Sequence, residues 1–169
     1  MKKLVSLIFF VSIAVMACNS QSPEEKQEAK PVVKEEVRSP VTIKLNKQKF
    51  LEHIVDYETN PQEWIYKGEL PGLIDFYADW CRPCRITSPI LEELASEYEG
   101  KIQVYKVDVQ AERELAAVFG IQSLPSFLFI PMNDNPVMSS GIAATPEATK
   151  AMFRQQIDEI LLKQAKNPN

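Results

Sequence analysis

The sequence predicts an α/β domain with a mixed central β-sheet of about five strands and helices on both faces of the sheet. Two observations support this fold class. Apolar runs typical of buried strands alternate with segments whose apolar residues recur at helical spacing, in the order β-α-β-α-β-α-β-β-α. The chain has 169 residues, of which 45% are hydrophobic, so it can form one such domain with a sizeable core and still carry extensions.

The domain is predicted to begin with a short strand and a helix. Residues 41–45 alternate between apolar and polar side chains, as a half-buried strand does. Asn46 can cap the following helix, which we expect to end at Asn60-Pro61. The apolar residues of this helix share one face: Phe50, Leu51, Ile54 and Val55.

A buried strand and a long helix form the centre of the predicted domain. Residues 72–78 are rich in aliphatic and aromatic side chains, as a fully buried strand requires. The helix that follows Cys84 is expected to end at Gly100, and Pro89 inside it predicts a kink because proline removes one backbone hydrogen bond. The apolar stripe of this helix contains Ile86, Ile90, Leu91, Leu94 and Tyr98.

The second half of the domain is predicted to supply three strands and two helices. The strands cover 102–109, 126–130 and 137–140, and the shorter helix covers 112–119. The turn cluster 133–136 makes the last two strands antiparallel neighbours. The final helix begins at Thr145-Pro146-Glu147, with a cap residue, a proline at the first position and an acid in the first turn. Its buried stripe contains Met152, Phe153, Ile157, Ile160 and Leu161.

Two cysteines separated by two residues lie where the central strand meets its helix. Cys81 is placed at or near the helix N-terminus, where unpaired backbone N–H groups and the helix dipole stabilise a thiolate. A redox dithiol is the favoured interpretation, in which Cys81 is expected to be the more exposed thiol and therefore to attack a substrate disulfide. The alternatives are half of a zinc site or two inert buried residues, but the chain has only three cysteines and one histidine. That histidine, His53, is interpreted as a surface residue rather than a catalytic one.

Asp75 and Trp80 are the other candidate site residues that stand out from the pattern. Asp75 is a carboxylate inside an apolar strand, so burial should raise its pKa. We expect it to move a proton to and from Cys84, with a salt-bridged structural carboxylate as the alternative. Trp80 precedes Cys81 and either shields one side of it or simply packs against its neighbours.

The N-terminal residues predict export and a lipid anchor. Residues 1–17 combine a positive start, Lys2-Lys3, with an apolar stretch too short for a comfortable membrane span. The following Cys18 sits in a context that resembles a bacterial lipobox, so lipidation of Cys18 is expected and acyl chains would hold the protein at a membrane. An ordinary cleaved signal, with Cys18 incidental, is the alternative.

The remaining domain boundaries follow from composition. Residues 18–40 are polar and charged with three prolines, which predicts a disordered tether. The folded domain is assigned to 41–165 and a disordered tail to 166–169. The net charge of −4 provides no general basic field, so nucleic acid is not an expected partner.

Several segments in order resemble the thioredoxin family. The match is centred on the active-site segment 75–84, which includes Cys81-Arg82-Pro83-Cys84, and it covers roughly residues 41–163. The commonest thioredoxin motif has glycine where this chain has Arg82, whose guanidinium should further stabilise a Cys81 thiolate. The other matching segments are Pro89, 106–108, 120–126, Gly141 and the amphipathic C-terminal helix.

The resemblance implies the thioredoxin fold and a role for each matching residue. Cys81 would attack a substrate disulfide and Cys84 would resolve the mixed disulfide, so the redox centre is a Cys81–Cys84 disulfide with no other cofactor or metal. Asp75 would lie beneath Cys84, with Lys106 as its partner. The match to Pro125 implies a cis-proline lying against Cys81, with the backbone of Leu124 free to pair with an extended substrate.

Taken together, these features predict a monomeric thiol–disulfide oxidoreductase tethered on the periplasmic side of a bacterial cell envelope. The favoured reaction is reduction or isomerisation of disulfides in exported proteins, with an upstream membrane electron donor. Two alternatives stay open: a net disulfide oxidase, and a non-enzymatic tethered module that binds proteins or metal.

Overall fold

The computed structural model describes residues 42–163, and these residues form the predicted succession of strands and helices. The predictions for residues 1–41 and 164–169, including the signal segment, Cys18, the tether and the tail, lie outside the described residues. In chain order the elements are β1 (Ile43–Lys44), α1 (Lys47–His53), β2 (Gly72–Tyr77), α2 (Arg82–Glu97), β3 (Gln103–Asp108), α3 (Arg113–Val118), β4 (Ser126–Ile130), β5 (Val137–Ser140) and α4 (Pro146–Gln156), which continues into a π-helical turn (Ile157–Leu161).

The five strands form one mixed sheet in the order β1-β3-β2-β4-β5. β1, β3 and β2 are parallel, whereas β4 is antiparallel to β2 and β5 is antiparallel to β4. β2 is therefore the central strand, hydrogen-bonded on both sides. In this register Asp75 lies between Lys106 of β3 and Phe127 of β4.

Two buried clusters cover the two faces of the sheet, which confirms the predicted arrangement of helices on both sides. The cluster beneath α2 and α4 includes Leu73, and the cluster beneath α1 and α3 includes Ile74 and Phe76. Successive residues of β2 thus point to opposite faces, as the pleat of a strand requires. Phe127 and Phe153 join β4 to α4 with ring centroids 4.7 Å apart in an edge-to-face arrangement.

The first helix is shorter than predicted. Asn46 caps it as expected, accepting a hydrogen bond from the Lys49 N–H at 2.9 Å, but the helix ends at His53 rather than at Asn60. The reason is local, because the Asp56 carboxylate accepts from both the backbone N–H and the hydroxyl of Thr59 and so favours a turn. Ile54 and Val55 are buried as predicted, although they lie beyond the helix.

The later helices follow their predicted patterns except at three residues of the apolar stripes, since Ile86 is exposed and Met152 and Ile160 are only partly buried. Ile86 was placed in the apolar stripe of α2, but its side chain is exposed, because the stripe that packs on the sheet begins one turn later with Ile90. In α4, Thr145 caps the helix by accepting from the Ala148 N–H at 3.1 Å. Across residues 42–163, each helix falls short of the length or the hydrophobicity that a membrane span requires.

Candidate active site

A disulfide joins Cys81 and Cys84 at the point where β2 leads into α2. The two Cα atoms are 5.3 Å apart, within the range that disulfides normally span. Both cysteines pack against Ala78, with Tyr77, Val109 and Leu124 partly buried around them. The redox pair predicted from the sequence is therefore present and lies at the carboxyl end of the central strand.

Cys81 is the N-cap of α2, as the sequence predicted. Its Sγ accepts a hydrogen bond from the backbone N–H of Cys84 at 3.2 Å. Arg82 and Pro83 form the start of the helix, so the sulfur lies at the end where the helix dipole is positive. A thiolate formed on Cys81 after reduction would thus lie beside a backbone donor and a favourable dipole.

The prediction that Cys81 is the more exposed of the two thiols is wrong for the disulfide form. Cys81 and Cys84 are each 3% exposed. The physical reason is that the first turn of α2 folds both sulfurs against Ala78 and the surrounding side chains. The difference between the two cysteines therefore lies in their positions on the helix rather than in their exposure.

Asp75 is fully buried, with 0% of its surface exposed. Burial disfavours the charged carboxylate and raises the pKa of Asp75 to about 7, and the positive charge of Lys106 opposes that shift only in part. Neither carboxylate oxygen has a hydrogen-bond partner in the part of the chain that the structure describes. The raised pKa is as predicted, and the alternative of a salt-bridged structural carboxylate finds no support.

Lys106 lies opposite Asp75 in the parallel register of β2 and β3, and it is only 8% exposed. Its ammonium group donates to the hydroxyl of Ser88 and lies 5.1 Å from the centre of the Tyr77 ring. Lys106 therefore neighbours Asp75, as the resemblance implied, but forms its hydrogen bond elsewhere. Sequence reasoning missed Ser88, although its spacing of four residues from Cys84 puts both on one face of α2.

A small cleft opens beside Cys84, and we call it the Lys106 cleft. Its volume is about 150 Å³, enough for several water molecules. Asp75 does not line it but lies in the sheet next to Lys106, which does. The residues around the Lys106 cleft are Tyr77, Ala78, Asp79, Cys84, Arg85, Ser88 and Lys106.

A larger and mostly apolar groove shares Val109 and Leu124 with the residues packed around the disulfide, and we call it the Trp80 groove. Its volume is about 500 Å³, and Arg113 is the charged residue among those that line it. Trp80 is 65% exposed, so most of its side chain faces solvent at the groove. The Trp80 groove is formed by Trp80, Val109, Arg113, Ala116, Ala117, Ile121, Gln122, Ser123 and Leu124.

The loop before β4 connects the Trp80 groove to the disulfide. The peptide bond between Leu124 and Pro125 is cis, as the resemblance implied, and Pro125 is buried. Leu124 packs against the cysteines and also lines the groove. The Pro125 carbonyl accepts from Gly141, whereas the backbone N–H and carbonyl of Leu124 make no hydrogen bond within residues 42–163. They are therefore available to an extended peptide.

The arrangement fits thiol–disulfide exchange. A Cys81 thiolate attacks a disulfide sulfur of the substrate, one substrate sulfur leaves as a thiolate, and a mixed disulfide forms. Cys84 then loses its proton and attacks the Cys81 sulfur, which releases the second substrate sulfur and restores the Cys81–Cys84 disulfide. Asp75 is the buried carboxyl group whose pKa near 7 suits acceptance of that proton.

The described part of the chain does not gather metal-ligating side chains into one cluster. Among residues 42–163, no group of three or more histidine, cysteine, aspartate and glutamate side chains could hold a metal ion. His53 is exposed at the end of α1 and lines a different cavity from those beside the disulfide. Within residues 42–163, a zinc half-site at Cys81 and Cys84 would therefore have no third histidine, cysteine or carboxylate ligand beside it.

Comparison with known proteins gives a consistent result. A family model for thioredoxin matches residues 41–155. The thioredoxin of Borreliella burgdorferi is 44% identical over 101 residues, which cover 60% of this chain and 86% of that protein. Thioredoxin C-2 of Corynebacterium nephridii is 36% identical over 99 residues, covering 59% and 90%, and the chloroplastic M-type thioredoxin of Pisum sativum is 42% identical over 87 residues, covering 52% and 49%. The chain therefore belongs to the thioredoxin family, and it is a thiol–disulfide oxidoreductase.

Proposed function

We propose that this oxidoreductase reduces or isomerises disulfides in exported proteins while a lipid anchor holds it on the periplasmic side of a bacterial cell envelope. The observation that carries the exchange reaction is the buried, unpaired Asp75 in the strand next to Lys106, with a pKa of about 7. A base of this kind promotes deprotonation of Cys84 in the resolving step and promotes the reverse step equally, so the direction is proposed from the likeness to thioredoxins. The relatives described above bear the name thioredoxin, which supports the same direction.

Arg82 does not weaken this choice of direction. It is exposed and forms no ion pair within the described residues, so its charge is free to stabilise a thiolate on the adjacent Cys81. Stabilising the reduced form raises the reduction potential, but an exposed charge contributes only about 0.5–1 kcal/mol, or roughly 10–20 mV. That shift is small against the ~150 mV between thioredoxin and a strongly oxidising DsbA.

Protein segments are the proposed substrates because the Trp80 groove and the free backbone of Leu124 lie side by side. An extended peptide could pair with Leu124 and place apolar side chains in the groove. A pocket that is open and apolar, with a backbone edge beside it, suits a polypeptide better than a small polar disulfide. After each cycle the Cys81–Cys84 disulfide needs new electrons, and we propose a membrane protein as their donor.

The proposed location depends on Cys18, which lies outside the described residues. Its support is the sequence context alone: a short apolar segment, a small residue before Cys18, and a polar stretch after it. The test is a Cys18→Ala variant, compared with Ser22→Ala as a matched control in the same segment. We expect Cys18→Ala alone to lose incorporated fatty acid and to leave the membrane fraction. If the wild-type protein carries no lipid, an ordinary signal peptide is the better account.

The direction can be tested by two measurements on the same protein. In an insulin-reduction assay with dithiothreitol, the wild type should accelerate precipitation of the insulin chains and Cys81→Ser should not. A non-enzymatic binding module would show no acceleration with either. The redox state of Cys81 and Cys84 in growing cells then separates reductase from oxidase, since a reductase is held largely in the dithiol form and a net oxidase in the disulfide form.

A further inference from the structure

We propose that Ser88 is a positioning residue that holds the Lys106 ammonium group at the wall of the Lys106 cleft, so that Asp75 has no ion-pair partner and stays free to exchange a proton with Cys84. The inference concerns this chain's own side chains, and its test does not depend on the substrates or the location proposed above. Three features carry it: the register of two strands, the hydroxyl that the ammonium contacts, and the unpaired carboxylate.

The register places Lys106 where an ion pair with Asp75 would be expected. The two residues are direct partners on parallel strands, so their side chains leave the sheet on the same face. Both are buried, and a buried carboxylate beside a buried ammonium is normally paired with it. Yet no Asp75 oxygen lies within hydrogen-bond or ion-pair distance of any partner in residues 42–163.

The contact of Lys106 with Ser88 explains why Lys106 and Asp75 form no ion pair. Its hydroxyl accepts a hydrogen bond from the Lys106 ammonium, while the Tyr77 ring lies beneath the same ammonium at 5.1 Å. The neighbouring hydroxyl cannot take this place, because Thr87 is buried and donates to the Cys84 carbonyl at 3.0 Å. Ser88 is thus the side chain of α2 that directs the lysine toward the cleft.

The consequence for catalysis follows from charge. An ammonium paired with Asp75 would stabilise its carboxylate and make it a weaker base. Held by Ser88, the ammonium leaves Asp75 able to take the proton from the Cys84 thiol, after which the Cys84 thiolate attacks the Cys81 sulfur and the substrate sulfur leaves. No outside oxidant or reductant is needed in this step.

Other titratable groups face Lys106 or line the cavities beside it, and the β4 residue paired with Asp75 is Phe127, which does not titrate. These titratable groups are Lys44, Lys49, Tyr77, Asp79, Arg85, Asp108 and Glu112.

The test compares Ser88→Ala with Ser88→Thr, which keeps a hydroxyl. The measured quantity is the titration midpoint of Asp75, followed by carboxyl ¹³C NMR in the oxidised protein, where neither cysteine titrates. We expect Ser88→Ala to free Lys106 and to lower the midpoint by about one pH unit, while Ser88→Thr stays close to the wild type. The pH at which the insulin-reduction rate reaches half its maximum should move in the same direction. Alanine is well tolerated in a helix, so the Ser88→Ala protein should remain folded.

The same Ser88→Ala change in a Lys106→Met protein tests whether the shift of the Asp75 midpoint depends on Lys106. In a Lys106→Met protein, adding Ser88→Ala should leave the Asp75 midpoint unchanged, because there is no ammonium left to release. An unchanged midpoint in the single Ser88→Ala variant overturns the proposal. So does a shift of equal size with and without Lys106, since Ser88 would then act on Asp75 by another route.

Discussion

The two cavities near the disulfide differ in volume and in the charge of the residues that line them. The Lys106 cleft is small, about 150 Å³, and charged and hydroxyl side chains line it together with Ala78 and Cys84, while the buried Asp75 lies beside Lys106 in the sheet. The Trp80 groove is about 500 Å³, mostly apolar, and carries one charged residue, Arg113. We propose that proton transfer uses the Lys106 cleft and that substrate recognition uses the Trp80 groove.

If the two cavities have these separate roles, changes in each should affect different kinetic constants. Changes in the Lys106 cleft should alter the rate and pH dependence of the step that Cys84 carries out, with little effect on substrate affinity. Changes in the Trp80 groove should alter affinity and leave the pH dependence in place. Each prediction below removes one of the two cysteines, alters one of the two cavities, or changes a charge beside Cys81 that lines neither cavity.

The largest effect is expected from Cys84→Ser, which leaves the attacking thiol but removes the resolving one. Turnover should fall below detection, and mixed disulfides through Cys81 should accumulate as bands on a gel that disappear with reductant. Cys81→Ser is the matched control, because it should lose both turnover and adducts. A folded Cys84→Ser protein that forms no adducts with disulfide substrates would contradict the assigned order of attack.

Asp75→Asn should impair proton transfer beside the Lys106 cleft and leave substrate binding intact. Removing the base should lower kcat at pH 7 on the order of 10²-fold, near the low end for general acid–base catalysis, with KM almost unchanged. The measurement is insulin or peptide-disulfide reduction from pH 5 to 9. Equal losses in kcat at every pH, or a rise in KM alone, would show that Asp75 acts structurally.

The same substitution should change how stability depends on pH. The folded pKa of Asp75, about 7, lies above the unfolded value near 3.9, so the folded state holds more protons between these pH values. The wild type should therefore lose about 2–4 kcal/mol of unfolding free energy as the pH rises from 4 to 8, and Asp75→Asn should lack this loss. Urea unfolding at several pH values measures it, and parallel curves for the two proteins would refute the assigned burial effect.

Arg113→Gln should alter substrate recognition in the Trp80 groove. Arg113 has no ion-pair partner in the described residues, while the adjacent Glu112 and Glu114 are both bound to Lys47. We expect disulfide peptides with an acidic residue near the cysteine to lose about 3–5-fold in kcat/KM, mainly through KM, because an exposed charge pair contributes up to ~1 kcal/mol. Lys101→Gln, a substitution in the turn after α2, is the control. Equal losses for acidic and neutral peptides would remove charge as the explanation.

The smallest effect concerns Arg82, which touches neither cavity. Replacing it with glycine should lower the reduction potential by roughly 10–20 mV, since an exposed positive charge stabilises the Cys81 thiolate only weakly. Equilibration against glutathione measures the shift, with Lys101→Gly in the turn after α2 as the control. A potential that is unchanged or higher in Arg82→Gly would overturn this account. A wild-type potential near −120 mV would overturn the reductase proposal itself.

Much of this site could be predicted because it depends on local pattern. The apolar run of β2 and the position of Cys81 follow from residues close in sequence, and so does the burial of Asp75. The partner of the Lys106 ammonium could not be predicted, because it depends on how α2 packs across the sheet. The end of α1 was missed for a different reason: Ile54 continued the helical spacing, and the Asp56 turn overrode it.

The hydrogen bond from the Cys84 amide to the Cys81 sulfur links one backbone N–H to the oxidation state of the protein. In the disulfide the acceptor is a neutral sulfur, whereas after reduction and ionisation it is a thiolate, and charge-assisted hydrogen bonds are roughly twice as strong as neutral ones. The Cys84 amide should therefore exchange with deuterium more slowly in the reduced protein than in the oxidised one. The amide of Ala95, farther along α2, should change little. The exchange rate of this one amide would then report whether the protein in solution is oxidised or reduced.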